Sequence, residues 1–380
     1  MLAEIVRAAR ARAGVPGVAA GLCRDGETEL AADGVLALGS AEPVRTDTPF
    51  RIASVTKWFT ASLATLCLDL DAPLEGTTAR RLLSHSAGWR CEAAAPLPEP
   101  AQGLWSYSNA GYLAVGRACG AAADGHYSEV LRERVLEPLG LAATGFERPR
   151  GAARGHVQDG ETGHRLPPDD GYPVNRHPAG GLWSTVGDLL RFAAHQLGGP
   201  GPLAAEQRAV LRTPQARALG ADYCLGCWSR ELSGARPALD HQGSVAGYQS
   251  LLLLLPAERS ALAVLTNSWR GSGVIRRVVR DLGLEPGEPL GGEASEPEPG
   301  RYRLDGSEAT VLRHGEGWRI AEAETDPIAG VRIEPAAYRI EPLGAGVWGF
   351  AGGLLMGHRV DFPRPGVARV GWVALPREEG

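Results

Sequence analysis

Lysine is almost absent from this sequence of 380 residues. Of the 39 basic residues, all are arginine except Lys57, which lies in the segment RIASVTKWFTA. Ala, Gly and Arg are abundant, which indicates codon bias, so the missing lysines need no selective cause. A lysine can give up its proton when its surroundings lower its pKa, whereas an arginine in a protein cannot. Lys57 is therefore a candidate for acid–base chemistry, although a single count is also compatible with chance.

Long apolar runs are also missing. No segment reaches 18 consecutive apolar residues, so the sequence predicts no membrane-spanning helix and no membrane partner. The N-terminal segment MLAEIVRAARARAG has apolar and charged residues at helical spacing and lacks the continuous apolar region of a signal peptide. We therefore expect a cytoplasmic location.

Positive charge is not in excess. The 44 acidic residues outnumber the basic ones, the net charge is −5, and no short segment concentrates arginine. These features argue against nucleic acid as a partner. With 44% hydrophobic and 22% charged residues, the composition is that of a globular protein with a sizeable core, in one large domain or two.

Cysteines are few and scattered. The six are Cys23, Cys67, Cys91, Cys119, Cys224 and Cys227. In a reducing compartment they are expected to be small buried hydrophobic residues. The segment CLGC at 224–227 has the CxxC form, but a zinc site would need a second pair with similar spacing, and none is present. We expect no metal and no cofactor.

The pattern along the chain predicts an α+β fold with an antiparallel sheet flanked by helices and a helical subdomain. The segment SVTKWFTASLATLCLDL has helical spacing, and two apolar runs around PAERS (256–260) predict a hairpin buried on both faces. Residues 1–283 form the predicted catalytic domain, and the acidic, Pro- and Gly-rich stretch 284–300 is a predicted linker. Residues 301–380 contain short alternating strands that predict a small all-β barrel or sandwich.

Ser54 and Lys57 lie three residues apart at the start of the predicted helix, so their side chains share one face. A serine hydroxyl becomes a good nucleophile when a base takes its proton, and a lysine with a lowered pKa can be that base. Taken alone, the pair also fits a helix-capping serine beside a surface lysine.

Two further segments strengthen the catalytic interpretation. Tyr107 and Asn109 belong to YSN at 107–109, where a tyrosine beside a lysine could relay a proton; a buried aromatic residue is the alternative. His241 and Gly243 belong to HQG at 241–243, where a glycine would let another backbone approach, as an extended substrate would. The alternative for His241 is a histidine bonded to a loop at a strand end.

These motifs, in this order, resemble the class C β-lactamase, penicillin-binding-protein and esterase family of serine hydrolases, whose relatives carry Ser-x-x-Lys. The flanking segments DTPFRIASVTKWFTA, ARRLLSHSAGW, LEPLGLAATGF and HPAGGLWSTVGDLLRFA also resemble family segments. The resemblance covers roughly residues 15–270 and implies the β-lactamase/transpeptidase-like fold, with the site between the sheet and the helical subdomain.

The resemblance implies a role for each matching residue. Ser54 matches the acylated nucleophile, Lys57 its general base and Tyr107 the proton-shuttling phenol. Asn109 matches the group that binds the acyl-side amide of the substrate. His241 and Gly243 match the strand that pairs with the substrate. The backbone N–H groups of Ser54 and Ser244 would form the oxyanion hole.

Two departures from the family pattern bear on function. His241 stands where class C β-lactamases carry lysine, which favours peptidases, esterases and acyltransferases over antibiotic resistance. The connection between LDLDAPL and TTARRLL is shorter than usual in the family, so one edge of the site is expected to be trimmed.

The C-terminal segment weakly resembles the lipocalin-like barrels of D-amino-acid-specific peptidases and of cyclases that release nonribosomal peptides from carrier proteins. It would be a lid or carrier-docking surface, or a structural appendage. The leading hypothesis is a serine acyl hydrolase or acyltransferase acting on a small-molecule or peptide-like amide, ester or thioester. The alternative is a peptide-releasing cyclase or transacylase with a carrier protein as partner; a non-catalytic binding protein is the third.

Overall fold

Two antiparallel β-structures organise the chain, an eight-stranded sheet within residues 17–266 and a second sheet from residue 300 onward. The computed structural model describes residues 1–24, 26–159, 163–167, 171–287, 289, 296–325, 332–333, 338–344, 346–350, 359–370 and 372–378. Residues 288 and 290–295 of the predicted linker therefore lie outside the described residues.

Helices cover both faces of the large sheet. In chain order they are α1 (Leu2–Ala13), α2 (Thr56–Cys67), α3 (Ala79–Leu83), α4 (Asn109–Ala122), α5 (Tyr127–Leu131), α6 (His177–Gly180), α7 (Val186–Gln196), α8 (Ala205–Arg212) and α9 (Gly271–Asp281). Short 3₁₀ turns are formed by Ala53–Val55, Val174–Arg176 and Pro256–Glu258, and a π-helical turn by Arg132–Leu136. Within the described part of the chain, none of these helices has the length and apolar character needed to cross a bilayer.

The strands before the predicted linker are β1 (Gly17–Arg24), β2 (Glu27–Gly34), β3 (Phe50–Arg51), β4 (Pro73–Leu74), β5 (Thr77–Thr78), β6 (Val157–Asp159), β7 (Gly163–Arg165), β8 (Trp183–Ser184), β9 (Ala216–Ala218), β10 (Ala221–Tyr223), β11 (Trp228–Leu232), β12 (Arg236–Val245), β13 (Tyr248–Leu255) and β14 (Ser260–Thr266). The large sheet has the order β2-β1-β14-β13-β12-β11-β10-β9. The predicted hairpin is β13–β14, and both strands are almost entirely buried, as expected.

Side chains on β14 alternate between two cores because successive residues of a strand point to opposite faces. Leu262 and Val264 pack with α1 and α9 on one face. Ala263 and Leu265 pack with α2 and α7 on the other. This confirms the predicted antiparallel sheet with helices on both of its faces.

The strands after the linker are β15 (Gly300–Leu304), β16 (Ser307–His314), β17 (Gly317–Thr325), β18 (Arg332–Ile333), β19 (Tyr338–Gly344), β20 (Val347–Phe350), β21 (Arg359–Arg364), β22 (Val367–Val370) and β23 (Val373–Pro376). Their order is β15-β16-β17-β19-β20-β21-β22-β23, with β18 paired to β17. A bridge between Tyr302 and Arg377 and a hydrogen bond from Glu378 N–H to Arg301 O (2.8 Å) bring the first and last strands together. The predicted C-terminal β-barrel is thus nearly closed.

The barrel packs directly on the part of the chain that precedes the predicted linker. Leu97 and Ala101, which lie in the loop between α3 and α4, are buried in the apolar core of the barrel. In the opposite direction, Arg359 at the start of β21 donates hydrogen bonds to Leu219 O (3.3 Å) and Gly220 O (3.0 Å), in the turn between β9 and β10. Leu284, at the start of the predicted linker, is buried against the large sheet. The barrel therefore makes apolar contacts with the loop between α3 and α4 and polar contacts with the turn between β9 and β10.

Candidate active site

Ser54 lies in the 3₁₀ turn that precedes α2, directly after a residue in a strained conformation. Ala53 has φ of 46°, in the left-handed region that residues with a side chain seldom adopt. The turn is fixed at Ile52, whose N–H donates to Leu182 O (3.0 Å) and whose carbonyl accepts from Ser250 Oγ (2.7 Å). Contacts on both sides of the chain thus hold the serine at the helix start, where backbone N–H groups are left without helical partners.

Gly243 allows β12 to lie against this turn. A Cβ at Gly243 would come within 2.3 Å of Ile52 O and 2.9 Å of the Ala53 Cβ. The sequence predicted a close backbone approach at this glycine, and the close neighbour in the structure is the protein's own turn that carries Ser54. Pairing of β12 with β11 ends at Asp240, so on that side no strand pairs with residues 241–245 within the described chain. That edge remains compatible with the predicted pairing of a substrate.

Lys57 points back toward Ser54 from the first turn of α2 and is fully buried. Its Nζ lies 3.2 Å from Ser54 Oγ, 2.7 Å from Asn109 Oδ1 and 2.5 Å from Ala179 O. Burial lowers the pKa of Lys57 to about 7, against opposing effects of Cys91 and Glu92, and Arg176 lowers it further. The alternative of a surface lysine is therefore wrong.

Tyr107 covers the lysine from the end of the loop before α4. Nζ of Lys57 is 4.8 Å from the centroid of the Tyr107 ring. Burial raises the pKa of Tyr107 well above its usual value, while the nearby Ser54 hydroxyl acts to lower it. Within the described part of the chain, the Tyr107 hydroxyl is buried without a full hydrogen bond. A phenol in this state keeps its proton at neutral pH and can donate it to an incoming group.

Asn109 is the first residue of α4, and its position follows from the cap before it. Ser108 caps the helix by accepting a hydrogen bond from Gly111 N–H (3.1 Å), which sets the direction of the first turn. Asn109 Oδ1 faces Lys57, and Nδ2 donates to Glu92 Oε1 (2.6 Å). Arg176 holds the other Glu92 oxygen through Nη2 (2.6 Å).

His241 is buried on β12 and is neutral. Burial, reinforced by the nearby Lys57, lowers the pKa of His241 to about 3, despite its hydrogen bond to Gln242 O (Nδ1, 2.6 Å). Its Nε2 lies 3.3 Å from the Tyr223 hydroxyl. A class C lysine would place a charge here, whereas this imidazole supplies none.

Ser244 is placed differently from the other predicted residues. Its side chain is exposed, and Oγ accepts a hydrogen bond from Gln249 Nε2 (2.7 Å). The structure thus connects Ser54, Lys57 and Asn109 by hydrogen bonds and packs Tyr107 on them. Gly243 lies against the turn that carries Ser54, and His241 lies beyond Tyr107, with 6.3 Å between their ring centroids.

Four residues near the site were missed by the sequence reasoning: Glu92, Arg176, His85 and Trp372. The His85 ring lies at a tilt against the Tyr107 ring, with 4.1 Å between the centroids, and its Nδ1 accepts from Ser108 N–H (3.0 Å). It belongs to the segment ARRLLSHSAGW, so the resemblance could have found it. Trp372 lies in the barrel, and its carbonyl accepts from Tyr107 N–H (3.0 Å). No sequence signal points to the other two residues or to this barrel contact.

The CLGC segment has a structural role next to the site. Cys224 N–H donates to Cys227 O (2.9 Å), forming a tight turn between β10 and β11. A Cβ at Gly226, whose φ is 83°, would come within 2.8 Å of the Lys57 carbonyl and 3.0 Å of Ala61 Cβ. The turn therefore packs closely against the first turns of α2.

Comparisons with known proteins agree with this geometry. Residues 2–284 match the family described as Beta-lactamase. Penicillin-binding protein 4 of Amycolatopsis lactamdurans is 27% identical over 330 residues, covering 70% of this chain and 85% of that protein. The crystal structure of SurE matches with a TM-score of 0.75 and 23% identity over 99% of this chain and 98% of that one. A class C beta-lactamase from Rhodobacter sphaeroides matches with a TM-score of 0.65 and 19% identity over 74% of this chain and 97% of that one. At these identities the structural matches establish the fold, and the match to SurE includes the barrel.

Proposed function

This chain belongs to the beta-lactamase family, and from that premise we propose that it is a serine acyl hydrolase or acyltransferase working through an acyl-enzyme on Ser54. The proposed substrate is a peptide-like amide, ester or thioester. The observation that supports this most directly is the buried Lys57 amine, 3.2 Å from the Ser54 hydroxyl, with a pKa of about 7.

The hydrogen-bonding partners of Lys57 suit a neutral amine. A neutral amine has two N–H donors and one lone pair. Asn109 Oδ1 and Ala179 O are acceptors for the two N–H groups, and the lone pair is left for the Ser54 hydroxyl proton. Lys57 is thus oriented to accept that proton.

The proposed acylation proceeds from this arrangement. As Ser54 Oγ forms a bond to the substrate carbonyl carbon, its proton passes to Lys57 Nζ. The carbonyl oxygen becomes an oxyanion, for which the backbone N–H groups of Ser54 and Ser244 are the proposed donors. The Tyr107 phenol relays a proton to the leaving group, and the carbon–leaving-group bond breaks to give the ester on Ser54.

Deacylation reverses the roles with a new acceptor. A water or amine gives up a proton to Lys57, through Tyr107, as it attacks the ester, and the same pair returns a proton to Ser54 Oγ as it leaves. Water gives a linear acid, and the substrate's own amine gives a cyclic peptide.

Labelling tests the proposed nucleophile and base. Incubation with a fluorophosphonate should add one adduct, located at Ser54 by peptide mass mapping. Lys57→Arg should abolish labelling, because a guanidinium does not release its proton to become a base, while circular dichroism shows a folded protein. A Lys57→Arg variant that labels at the wild-type rate would show that the lysine is not the base. A wild-type protein that takes no adduct would favour the non-catalytic binding protein.

Aminolysis is the second candidate, and the barrel favours it. The match to SurE extends through the barrel, and SurE has also been solved with D-Leu. The Trp372 carbonyl bonded to Tyr107 N–H places the barrel at the site, where it could limit access of water. A carrier protein would deliver the acyl group in this version of the proposal.

A peptidyl thioester distinguishes the two outcomes. Paired substrates ending in a D- or an L-residue would be incubated with the protein and with Ser54→Ala as the control. A mainly cyclic product, seen by mass spectrometry and lost in Ser54→Ala, supports the cyclase. Predominantly linear acid, even with a good amine present, would support the hydrolase instead of the cyclase.

A further inference from the structure

Glu92 lies outside the family motifs, yet it contacts the proposed machinery. Its Oε1 accepts from Asn109 Nδ2 (2.6 Å), and its Oε2 accepts from Arg176 Nη2 (2.6 Å). The glutamate and arginine side chains are 27% and 17% exposed, so the pair is largely shielded from solvent. Shielding strengthens the pair's electrostatic effect on nearby groups.

The segment that carries Glu92 is tied to the start of α4. Ser108 Oγ donates to Arg90 O (2.8 Å), and Ala110 N–H donates to Cys91 O (3.0 Å). These two bonds flank Asn109 and hold the neighbouring backbone on either side. The position of Glu92 relative to Asn109 is therefore set by backbone contacts.

An ionised carboxylate determines which end of the Asn109 amide faces it. A carboxylate can only accept hydrogen bonds, so it must face the NH₂ group of the amide. The amide oxygen then faces Lys57 Nζ, where an acceptor is needed. Without Glu92, the amide could rotate and present a donor to the lysine.

Glu92 also acts on the lysine by charge. Among the described residues, Glu92 supplies the carboxylate that acts to raise the pKa of Lys57, whereas Arg176 acts to lower it. Burial acts to raise the pKa of Glu92, but Arg176 and Asn109 together lower it below its usual value, so the carboxylate is ionised. The titratable and charged groups around Lys57, from all the elements packed against it, are His85, Cys91, Glu92, Tyr107, Tyr112, Arg176 and His241.

We propose that Glu92 is a positioning residue, which orients the Asn109 amide toward Lys57 and, balanced by Arg176, sets the charge around the catalytic base. The role of Lys57 as base rests on the proposed function, but the effect on its proton affinity can be measured without any reaction.

The sole lysine makes this measurement possible. Growth on lysine labelled with ¹³C at Cε gives one side-chain signal, from Lys57, whose pH titration is followed by NMR in the full chain. In Glu92→Gln the negative charge is lost while an amide oxygen still accepts from Asn109, so the midpoint should fall by on the order of one pH unit. In Arg176→Gln the positive charge is lost, so the midpoint should rise.

Glu258→Gln is the matched control. Like Glu92, Glu258 pairs with an arginine, but here both of its oxygens accept from Arg236 (Nε at 2.6 Å and Nη2 at 2.8 Å), and the pair lies at the exposed turn between β13 and β14. In Glu258→Gln, the midpoint of the Lys57 titration should equal that of the wild type. Midpoints that stay unchanged in Glu92→Gln and Arg176→Gln, or that move in the same direction in both, would overturn the proposal.

The orienting effect has a separate readout. Glu92→Ala removes the acceptor as well as the charge, so its maximal fluorophosphonate labelling rate should fall roughly ten- to a hundredfold below that of Glu92→Gln. Equal maximal rates in these two variants would contradict the orienting role. If the proposed function is wrong, the wild-type protein should take no adduct. The NMR midpoints would still test the role of Glu92, because they require no reaction.

Discussion

The lysine at position 57 lies in surroundings that favour its neutral form. It is fully buried, and its hydrogen-bonding partners within the described residues are a hydroxyl, an amide oxygen and a backbone carbonyl, with no direct ion pair among those residues. An uncompensated ammonium is costly to bury, so the equilibrium moves toward the neutral amine. The same burial that makes Lys57 unusual as a side chain makes it suitable as a base.

The rate of fluorophosphonate labelling should depend on pH through Lys57. Below its pKa of about 7, the neutral fraction rises about tenfold per pH unit, so the rate should rise similarly and level off above pH 7. His241, with a pKa of about 3, stays neutral and should add no inflection near neutral pH. Rates measured between pH 5 and 9 check this, with protein integrity followed by circular dichroism. A rate that still rises about tenfold per pH unit up to pH 9, as an ordinary lysine would give, would contradict it.

The conformation of the turn Ala53–Val55, which carries Ser54, depends on strand β12 packing closely against it. Ala53 is held at φ of 46° because Ile52 is bonded on both its N–H and carbonyl sides. Strained backbone of this kind persists only when its surroundings fix it. Gly243 is part of these surroundings, since it leaves room for the Ile52 carbonyl.

Gly243→Ala should therefore damage both stability and reactivity. Its Cβ would lie 2.3 Å from Ile52 O and 2.5 Å from Ser250 Oγ, so the backbone must move. We expect a loss of about 1–3 kcal/mol in the free energy of unfolding, measured in urea. Displacement of Ser54 should lower the labelling rate by on the order of a hundredfold.

Gly187→Ala is the matched control for this substitution. Gly187 lies in the first turn of α7, where the nearest atom to an added Cβ is 3.8 Å away. It should be neutral or slightly stabilising, because alanine favours helix over glycine. If Gly243→Ala behaved like this control, the close approach of β12 would not matter for the site.

At the scale of the whole molecule, the barrel and the loop between α3 and α4 contact each other at Leu97, Ser106 and Tyr107. The loop between α3 and α4 buries Leu97 in the barrel, and the same loop ends at Tyr107. Two hydrogen bonds join the barrel to the same loop. Tyr107 N–H donates to Trp372 O, and Ala374 N–H donates to Ser106 Oγ (3.1 Å). Tyr107 is thus attached to both structures.

Leu97→Asp should disturb the site from a distance. Leu97 is only 1% exposed, and an unpaired carboxylate there should cost at least about 3 kcal/mol in the free energy of unfolding. Loss of the loop contact should also free Tyr107 and lower the labelling rate. Leu38→Asp, at a leucine that is 49% exposed, should leave both quantities unchanged. A Leu97→Asp variant that labels at the wild-type rate would favour a barrel that is only a structural appendage.

The sequence alone determined those features that depend on local spacing. Ser54 and Lys57 share a helix, so their contact follows from a separation of three residues. The buried hairpin follows from two apolar runs around a turn, and the alternating strands after residue 300 predicted the barrel. The sequence also singled out Tyr107 and Asn109, to which the resemblance gave roles, and the structure places both beside Lys57.

Only the tertiary structure decided the surroundings that give these residues their properties. Glu92 meets Arg176 across 84 positions, and Tyr107 meets Trp372 of the barrel. Such contacts depend on how the loops and the barrel pack against each other, and the periodicity of a single sequence does not predict them. Burial is likewise a property of the folded chain, and burial is what lowers the pKa of Lys57. The sequence placed an amine beside a hydroxyl, and packing removed the water that would have kept that amine charged.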